Sequence, residues 1–432
     1  MAKTKTQPQQ IVPGQFYRVP GIGARPRFVA EVGPCAVGAT FALNTGSGTS
    51  PNFGKLQTLD INKGLLFEAT ITSKYTKGLT KVLKQSPLFP ANWITLLQVQ
   101  FESAYSTFRL PGFLALAMQG YRSQFAPTDP RSSNFQSGAS ALPPKALGSL
   151  WLPTNTHVGL PVPTLAANTA GVAQTYSVFV EIPFSMYFDL YYTLNAAGLP
   201  VGMPIPRAIV SPQYMAASTR NVIPHCTFAP PLMSENNLIS PVSKKSTDVL
   251  SVVATTKVAC TWWRDAWIPS NTMATTPPQR SWQYTRDYIE FQPSGARTIA
   301  IPLDDDVPGQ GQILSLVFMT WTPSLTTGDG NVVTYQHYTT VALVLGSSIE
   351  LEQTTPASNQ YRWASKHGSV LPVGFMGWDL ALTPEGKLTN EFAINTLVQN
   401  GAQLRLKMKA TFHLTPKATT FVGLEVLKKV GQ

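Results

Sequence analysis

Charged side chains are scarce in this sequence. Asp, Glu, Lys and Arg make up 13% of its 432 residues, about half of the ~25% usual for soluble domains. A soluble monomer of this size needs a charged surface to stay dispersed, so we expect much of the surface to be covered, most simply by further copies of the chain. Hydrophobic residues reach 43%, which is enough for full-sized cores and excludes a disordered protein.

Acidic residues are the scarcer of the two signs. The sequence has 33 basic residues against 22 acidic ones, which gives a formal net charge of +11. An excess of this kind favours an acidic neighbour such as nucleic acid or anionic lipid.

Cysteines and long apolar runs are also few. Cys35, Cys226 and Cys260 are far apart and show no CxxC spacing, which argues against a disulfide framework or a zinc site. No apolar run approaches the ~20 residues of a membrane-spanning helix, and the polar start, MAKTKTQPQQ, has no signal-peptide core. We therefore expect neither an integral membrane protein nor one secreted by a standard signal.

Proline and glycine are abundant, at 36 and 31 residues, which disfavours long helices and favours short strands joined by turns. Apolar and polar residues alternate with the two-residue period of half-buried strands in 65–72, 97–102, 176–184 and 404–414. The almost wholly apolar stretch 313–321 is typical of a strand covered on both faces. Helices are predicted only at 111–122 and 356–367, so the predicted class is all-β with a few short helices.

The length fits two domains of about 200 residues each. A turn-then-strand unit at Pro90–Glu102 recurs as Pro308–Thr322, at an offset near half the chain length. The Pro/Thr-rich stretch 268–280 is the best candidate for the linker between the domains.

These signals divide the chain into three parts. We predict a basic N-terminal arm at 1–30, a first domain at 31–268, and a second domain with a C-terminal tail at 279–432. The long polar segment 123–174 is predicted to be a loop excursion from the first domain, because so long a loop within a compact domain needs a function.

Basic residues collect near both ends of the chain. The arm and the tail contain Lys3, Lys5, Arg18, Arg25, Arg27, Lys428 and Lys429, and those in the arm precede the first acidic residue, Glu31. Two interpretations stay open for the arm: contact with phosphates of lipid or nucleic acid, or an ordinary disordered tail.

No motif predicts a catalytic, cofactor or metal site. The histidines show no metal-type spacing. The consecutive Asp304, Asp305 and Asp306 are interpreted as a polar turn or subunit contact, with calcium binding as the alternative because clustered carboxylates suit a hard cation. Tryptophans near a predicted strand end are interpreted as core or interface anchors, or as rings that stack on sugars: these are Trp262, Trp263 and Trp267.

Several segments match a known family by local pattern and order. They are K-G-L-L-F-E-A-T-I-T (63–72) as a first strand, P-A-N-W-I-T-L-L-Q-V-Q-F (90–101) as a second, T-Y-S-V-F-V-E-I-P-F-S (175–185), Q-I-L-S-L-V-F-M-T (312–320), N-Q-Y-R-W-A-S-K-H (359–367) and a closing strand pair at 393–412. The ordered set covers most of the chain and resembles the double jelly-roll major capsid proteins of the tectivirus–adenovirus lineage, which includes bacteriophages.

The resemblance implies two tandem eight-stranded jelly-roll sandwiches with a few short helices and no enzymatic activity. Three chains would form a pseudo-hexameric homotrimer, and trimers would tile an icosahedral virion over an internal lipid membrane, after assembly in the host-cell cytoplasm. Segment 123–174 would point outward, while the basic arm and tail would face the membrane or the genome. Further partners would be neighbouring trimers and the vertex (penton) and minor capsid proteins, with no sequence-specific nucleic acid.

Two other functions compete with this one. A carbohydrate-binding or carbohydrate-active β-sandwich would need a cleft with two acids and stacked tryptophans. A nucleic-acid-binding β protein would show affinity that falls steeply with salt.

Overall fold

A computed structural model describes the strands and helices of the chain and a few adjoining residues. The described residues are 17–18, 25–30, 40–42, 61–75, 83–84, 88, 91–101, 105–118, 164–165, 173–194, 200–210, 222–229, 253–268, 282–291, 298–302, 311–322, 332–333, 338–345, 349–367, 371, 374–379, 394–395, 406–412 and 418–429.

Most of the described residues form β-strands. In chain order these are β1 (Tyr17–Arg18), β2 (Arg25–Ala30), β3 (Thr40–Ala42), β4 (Ile61–Tyr75), β5 (Leu83–Lys84), β6 (Ile94–Phe101), β7 (Tyr105–Leu110), β8 (Thr164–Leu165), β9 (Ala173–Pro183), β10 (Ser185–Leu194), β11 (Pro200–Val210), β12 (Val222–Phe228), β13 (Val253–Ile268), β14 (Trp282–Phe291), β15 (Thr298–Pro302), β16 (Gly311–Thr322), β17 (Val332–Val333), β18 (Tyr338–Leu345), β19 (Ile349–Thr354), β20 (Phe375–Asp379), β21 (Ile394–Asn395), β22 (Leu406–Phe412) and β23 (Thr419–Lys429). Two α-helices, α1 (Gly112–Ala117) and α2 (Pro356–His367), and a 3-10 turn at Ala91–Trp93 complete the set. Neither α-helix has the length and apolarity that crossing a membrane requires.

The second half of the chain, from β14 onward, contains two sheets that share a core. One sheet has the order β15-β22-β18-β19, and the other runs β14-β23-β16 with β20 paired to β16. The ring of Phe318 in β16 meets that of Tyr338 in β18 edge-on at 5.6 Å between centroids, which joins the sheets. The first, last, third and sixth main strands of this half therefore form one sheet, and the remaining four form the other, which is the strand order of a jelly roll.

The first half of the chain repeats this pattern for seven of the eight main strands, and among the described residues β15 has no counterpart in it. Its sheet β2-β13-β4-β9 corresponds to β14-β23-β16-β20, and its order β12-β6-β7 corresponds to β22-β18-β19. The helix α1 follows β7 directly, as α2 follows β19. The chain is thus all-β with two tandem jelly rolls and few helices, as predicted.

Three sequence assignments need correction. Residues 25–30, expected in the arm, form β2 and pair with β13, so they take the place of the first strand. Segment 63–72, expected to be the first strand, lies in β4 and corresponds to β16 instead. Residues 419–429, expected as a tail, form β23, which pairs with both β14 and β16.

The two segments of the proposed internal repeat also contain strands that are not equivalent. Pro90–Glu102 contains β6, which corresponds to β18, whereas Pro308–Thr322 contains β16, which corresponds to β4. The alternation of apolar residues looks alike on every strand, and only strand pairing identifies equivalents. The predicted linker falls in the interval between β13 and β14, and 123–174 lies outside the described residues except for β8 and the start of β9.

The core of the first half is built by alternate residues of facing strands. On β12 buried and half-buried residues alternate from Val222 to Phe228, which is the two-residue period of a strand with one face inward. The fully buried Phe67 of β4 lies 4.7 Å from Trp262 and 6.4 Å from Phe228, measured between ring centroids. Phe67 therefore packs between the two sheets of this jelly roll.

We expect Phe67→Ala to lower the free energy of unfolding by about 3–5 kcal/mol, because the substitution leaves a cavity between two sheets. Lys257→Ala, at an exposed position of the same jelly roll, should change it by no more than ~0.5 kcal/mol. Urea titration followed by tryptophan fluorescence measures both, and a loss below ~1 kcal/mol for the Phe67 variant would contradict this packing.

Candidate functional site: the seam between the two halves

The two jelly rolls meet at a seam formed by β7, β14, α1 and β23. The strands β7 and β14 pair in parallel at Phe108 and Arg286, and this pairing joins strands of both halves into one nine-stranded sheet. A parallel neighbour cannot come from a hairpin, so the pairing connects separate units. Within one chain the two jelly rolls are side by side.

The helix α1 fills the space between the first-half core and the second-half sheet. Pro111 stands at its N-cap with φ −65° and ψ 150°, which ends β7 and sets the chain up for a helical turn. All of its residues, GFLALA, are buried. Phe113 meets Phe421 of β23 edge-on, with 5.1 Å between ring centroids, so the helix contributes to both halves of the core.

Glycines allow the close approach on both sides of α1. A Cβ on Gly423 would lie 2.5 Å from Met118 Sδ, and a Cβ on Gly112 would lie 2.7 Å from the Ala91 carbonyl oxygen. Met118 is fully buried, so its side chain has little room to move away. Any larger residue at Gly423 must displace the Met118 side chain, the helix or the strand.

A half-exposed ion pair lies beside the parallel strands. Arg109 Nε is 2.7 Å from Asp287 Oδ1, with side-chain exposures of 46% and 15%, and the Arg109 guanidinium lies 5.3 Å from the ring centroid of Tyr288. Burial raises the pKa of the Tyr288 hydroxyl, and the positive charge of Arg109 partly opposes that rise. Ion pairs this exposed contribute at most ~1 kcal/mol, so the contact mainly orients side chains across the seam.

A buried ion pair lies across the second-half strands of the seam. Arg286 Nη2 is 3.6 Å from Glu425 Oε1, and Ser315 Oγ donates a hydrogen bond of 2.8 Å to Glu425 Oε2. These residues face each other on β14, β23 and β16. Because a buried charge is costly when it loses its partner, this row favours a single register of the three strands.

The second helix, α2, is held to β20 by polar contacts. Asn359 Nδ2 donates to the Gly377 carbonyl at 2.9 Å, the Gly377 N–H donates to Asn359 Oδ1 at 3.0 Å, and Gln360 donates to the Phe375 carbonyl. Trp363 is buried on the same side. Tyr361 points the other way and is 75% exposed, the large hydrophobic side chain that stands out as exposed among the described residues.

The predicted basic residues fall on three different sheets. Lys3 and Lys5 lie outside the described residues. Arg18 in β1 pairs with Arg207 in β11. The others lie at strand ends: Arg25 and Arg27 in β2 opposite Ile268 and Ala266 of β13, and Lys428 and Lys429 in β23 opposite Gln283 and Trp282 of β14.

The candidate sugar-stacking tryptophans and metal-binding aspartates are placed as follows. Trp262 is buried, as the core interpretation predicted, whereas Trp263 is half-buried, and the side chain of Trp267 is not among those that the structure describes. Asp304, Asp305 and Asp306 lie outside the described residues. Across the part of the chain that the structure describes, no cluster of three or more His, Cys, Asp or Glu residues could hold a metal ion.

Sequence reasoning missed the seam. The signal was a charge inside an apolar run, namely Glu425 in the FVGLEVL part of β23. Such a charge predicts a buried polar partner, but the partner strand cannot be read from the pattern alone.

We expect Gly423→Ala to destabilise the protein by about 1–3 kcal/mol, since the new methyl group overlaps Met118. Met118→Ala removes the overlapping atoms, so the double variant should lose less stability than the sum of the two single losses. A double-mutant cycle of unfolding free energies measures this coupling, and simple additivity within ~0.3 kcal/mol would show that helix and strand do not meet here.

No family model and no curated protein matches the sequence, but solved structures do. The major capsid protein of STIV aligns with a TM-score of 0.50 at 11% identity, covering 94% of this chain and 97% of that chain. A structure of Sulfolobus Turreted Icosahedral Virus gives 0.50 at 10%, covering 94% and 91%. VP54 of PBCV-1, fitted into a reconstruction of the virophage Sputnik, gives 0.54 at 11%, covering 95% and 94%.

These structures are double jelly-roll major capsid proteins. At this level of identity the likeness concerns the fold, and it extends over nearly the whole of both chains. Together with the repeated strand order of the two halves, it identifies the chain as a member of the double jelly-roll fold that these capsid proteins have.

Proposed function

We propose that this chain is a viral major capsid protein, a structural component of the virion shell that forms pseudo-hexameric homotrimers and tiles an icosahedral surface. The observation that carries the proposal is the side-by-side fusion of two equivalent jelly rolls through the seam. Three such chains supply six similar units, which is what a hexagonal outline requires. Proteins sharing the fold over nearly the full length are major capsid proteins.

The composition supports the same role. A chain with 13% charged residues is poorly suited to expose all of its sides to water as a monomer, whereas a shell subunit covers its sides with neighbours. Two-sheet sandwiches are stiff and protect most strand edges, which suits a load-bearing wall. Trimer neighbours, vertex and minor capsid proteins would be the partners, and assembly would take place in the host-cell cytoplasm.

The carbohydrate alternative has less support. Stacking on a sugar needs an accessible ring face, and Trp262, Trp363 and Trp378 are buried, while the half-buried Trp263 donates its Nε1–H to Glu68. We infer a structural rather than a catalytic role, because the described polar clusters at the seam are engaged in packing and strand register.

Basic residues would bind the shell to the headgroups of an internal lipid membrane. Arg25 stands opposite Ile268 and Lys429 opposite Trp282, and these two partners are the last residue of β13 and the first of β14. The two basic strand ends therefore flank the same short segment, 269–281. Each basic residue that lies next to an anionic lipid surface contributes about 1 kcal/mol of attraction to it.

We expect the purified chain to run as a trimer, near three times 46.9 kDa, because most of its sides are built to be covered. Multi-angle light scattering at micromolar concentration measures the mass, and negative-stain microscopy should show hexagonal outlines. A stable monomer at that concentration would count decisively against the capsid role. Ligands on a glycan array would instead favour the carbohydrate alternative.

We expect the full chain to bind vesicles that contain anionic lipid, and the fourfold variant Lys3→Gln, Lys5→Gln, Lys428→Gln, Lys429→Gln to bind at least ~10-fold more weakly. Lys257→Gln, which removes one exposed lysine on β13, is the matched control and should bind as the unmodified chain does. Co-sedimentation at two salt concentrations measures both. Equal binding by the fourfold variant would show that these lysines do not face the membrane.

A further inference from the structure

The strand β22 contains basic residues that the fold does not explain. Its sequence, LKMKATF, carries Lys407 and Lys409, and Arg405 precedes it. Lysines on a strand often serve to keep an exposed sheet edge from pairing with another chain. The strand β22 pairs with β15 on one side and with β18 on the other. It is therefore a central strand, and edge protection does not account for its lysines.

The strand register places both lysines on the outer face of the sheet. Phe412 of β22 stands opposite Tyr338 of β18, and the ring of Tyr338 packs against Phe318 of the facing sheet. Since successive residues of a strand belong to opposite faces, Phe412 and every second residue before it belong to the core face. Lys407 and Lys409 therefore belong to the outer face, and we call them the lysine pair.

The residues beside the lysine pair are uncharged and mostly small. In the two neighbouring strands they are Pro302, Ala300, Val344 and Ala342. No acidic residue occurs in the sequences of β15, β22 and β18, which are TIAIP, LKMKATF and YTTVALVL. These three strands therefore supply two positive charges and no carboxylate on the same face to balance them. A partner that binds this face has to bring the negative charge itself.

The equivalent strand of the first half has no such charge. It is β12, whose buried residues alternate with half-buried ones, and its outer positions hold Ile223, His225 and Thr227. A sheet of this jelly-roll type thus forms without lysines on this face. The lysine pair is an addition to the second half, which indicates a function other than folding.

The spacing of the lysine pair fits an extended acidic chain. Residues two positions apart on one strand lie about 6.8 Å apart, and alternate residues of any extended peptide have the same spacing. A peptide that runs along β22 with carboxylates at alternate positions can therefore pair one carboxylate with each ammonium group. Such charge-assisted hydrogen bonds are stronger than neutral ones, and the uncharged residues beside the lysines suit the rest of the peptide.

Two other anionic partners fit this face less well. Single-stranded nucleic acid is bound through aromatic rings on which the bases stack, whereas the residues beside the lysine pair in the neighbouring strands are Pro, Ala and Val. Attraction to an anionic lipid surface falls off within about a Debye length, which favours residues at strand ends over Lys409, at the centre of β22. The chemistry of the face therefore favours an acidic polypeptide.

The chain itself has few segments of this acidic kind. Carboxylates at alternate positions occur at Glu350 with Glu352 and at Asp304 with Asp306. Glu350 and Glu352 are part of β19, which pairs with β18 and therefore lies two strand spacings, about 10 Å, from β22. Asp304 and Asp306 lie outside the described residues, so an experiment with a variant has to exclude them. These observations favour a segment of another protein as the partner.

We propose that the outer face of the sheet β15-β22-β18 binds an extended acidic segment of another protein, which runs along β22 and places alternate carboxylates on Lys407 and Lys409. The proposal goes beyond the capsid role and does not depend on it, since the face lies within one jelly roll and needs no second copy. Within a shell, the segment would join this subunit to a protein of different sequence.

Fluorescence polarisation tests the contact with the full chain and a labelled peptide of alternating Glu and Thr. Lys407→Gln combined with Lys409→Gln should weaken binding of this peptide at least ~10-fold, because two ion pairs are lost. The matched control, Lys257→Gln combined with Arg362→Gln, removes the same charge from exposed positions elsewhere and should bind as the unmodified chain does. An unmodified chain that does not bind the peptide, or an equal loss in both double variants, would overturn the proposal.

Charge reversal makes the result independent of a folding defect. Lys407→Glu combined with Lys409→Glu should lose the acidic peptide and bind a peptide of alternating Lys and Thr, since both ion pairs then have the opposite polarity. A misfolded variant has no reason to exchange one peptide for the other. A reversed variant that keeps the unfolding midpoint of the unmodified chain and binds neither peptide would contradict the assigned face.

Competition separates the acidic segment from other occupants. Oligothymidylate and phosphatidylglycerol vesicles should displace the labelled peptide at least ~10-fold less well than the unlabelled peptide does, and better displacement by either would assign the face to phosphates instead. The triple variant Asp304→Asn, Asp305→Asn, Asp306→Asn should bind the peptide as the unmodified chain does. Peptide binding that appears only in this variant would show that the acidic run of the chain itself covers the lysine pair, and would overturn the proposal.

Discussion

The need to cover the edge of a sheet dominates this structure. A strand edge that faces water exposes a row of unpaired backbone groups and invites aggregation. The strand β7 avoids this by pairing with β14 of the other half, and the apolar helix that follows it packs against Phe421 of β23. The glycine at 423 exists because the helix must come this close. The two jelly rolls of one chain therefore share one sheet.

The few charges are placed where they decide register. Arg286, Glu425 and Ser315 occupy three neighbouring strands, and sliding β14 past β23 by one residue would separate the buried carboxylate from the buried guanidinium. Arg109 and Asp287 play a similar part at the rim of the seam. Because charges are few in this chain, these ion pairs specify which strands pair with each other.

The sequence revealed local elements far better than their order. The helix at Pro356–His367 was predicted with its observed bounds, because Pro stands at its start and the strand before it ends there. The strand β2 was missed, since RPRFVA carries two arginines and a proline and resembles a loop. The strand β23 was missed because Glu425 and the two lysines interrupt its apolar run, and the seam buries a charge that the pattern would assign to water. Long-range pairing, which no local pattern encodes, decided each of these cases.

The contrast between the two helices has a consequence for a chain in which only the first half is folded. The helix α1 is wholly apolar and is buried by its own chain as soon as the second half folds. The helix α2 is held by Asn359 and Gln360 on one side and carries Tyr361, Arg362 and Ser365 on the other, so it tolerates water. Until the second half is folded, α1 therefore exposes its apolar side chains to water, whereas the polar side of α2 needs no cover.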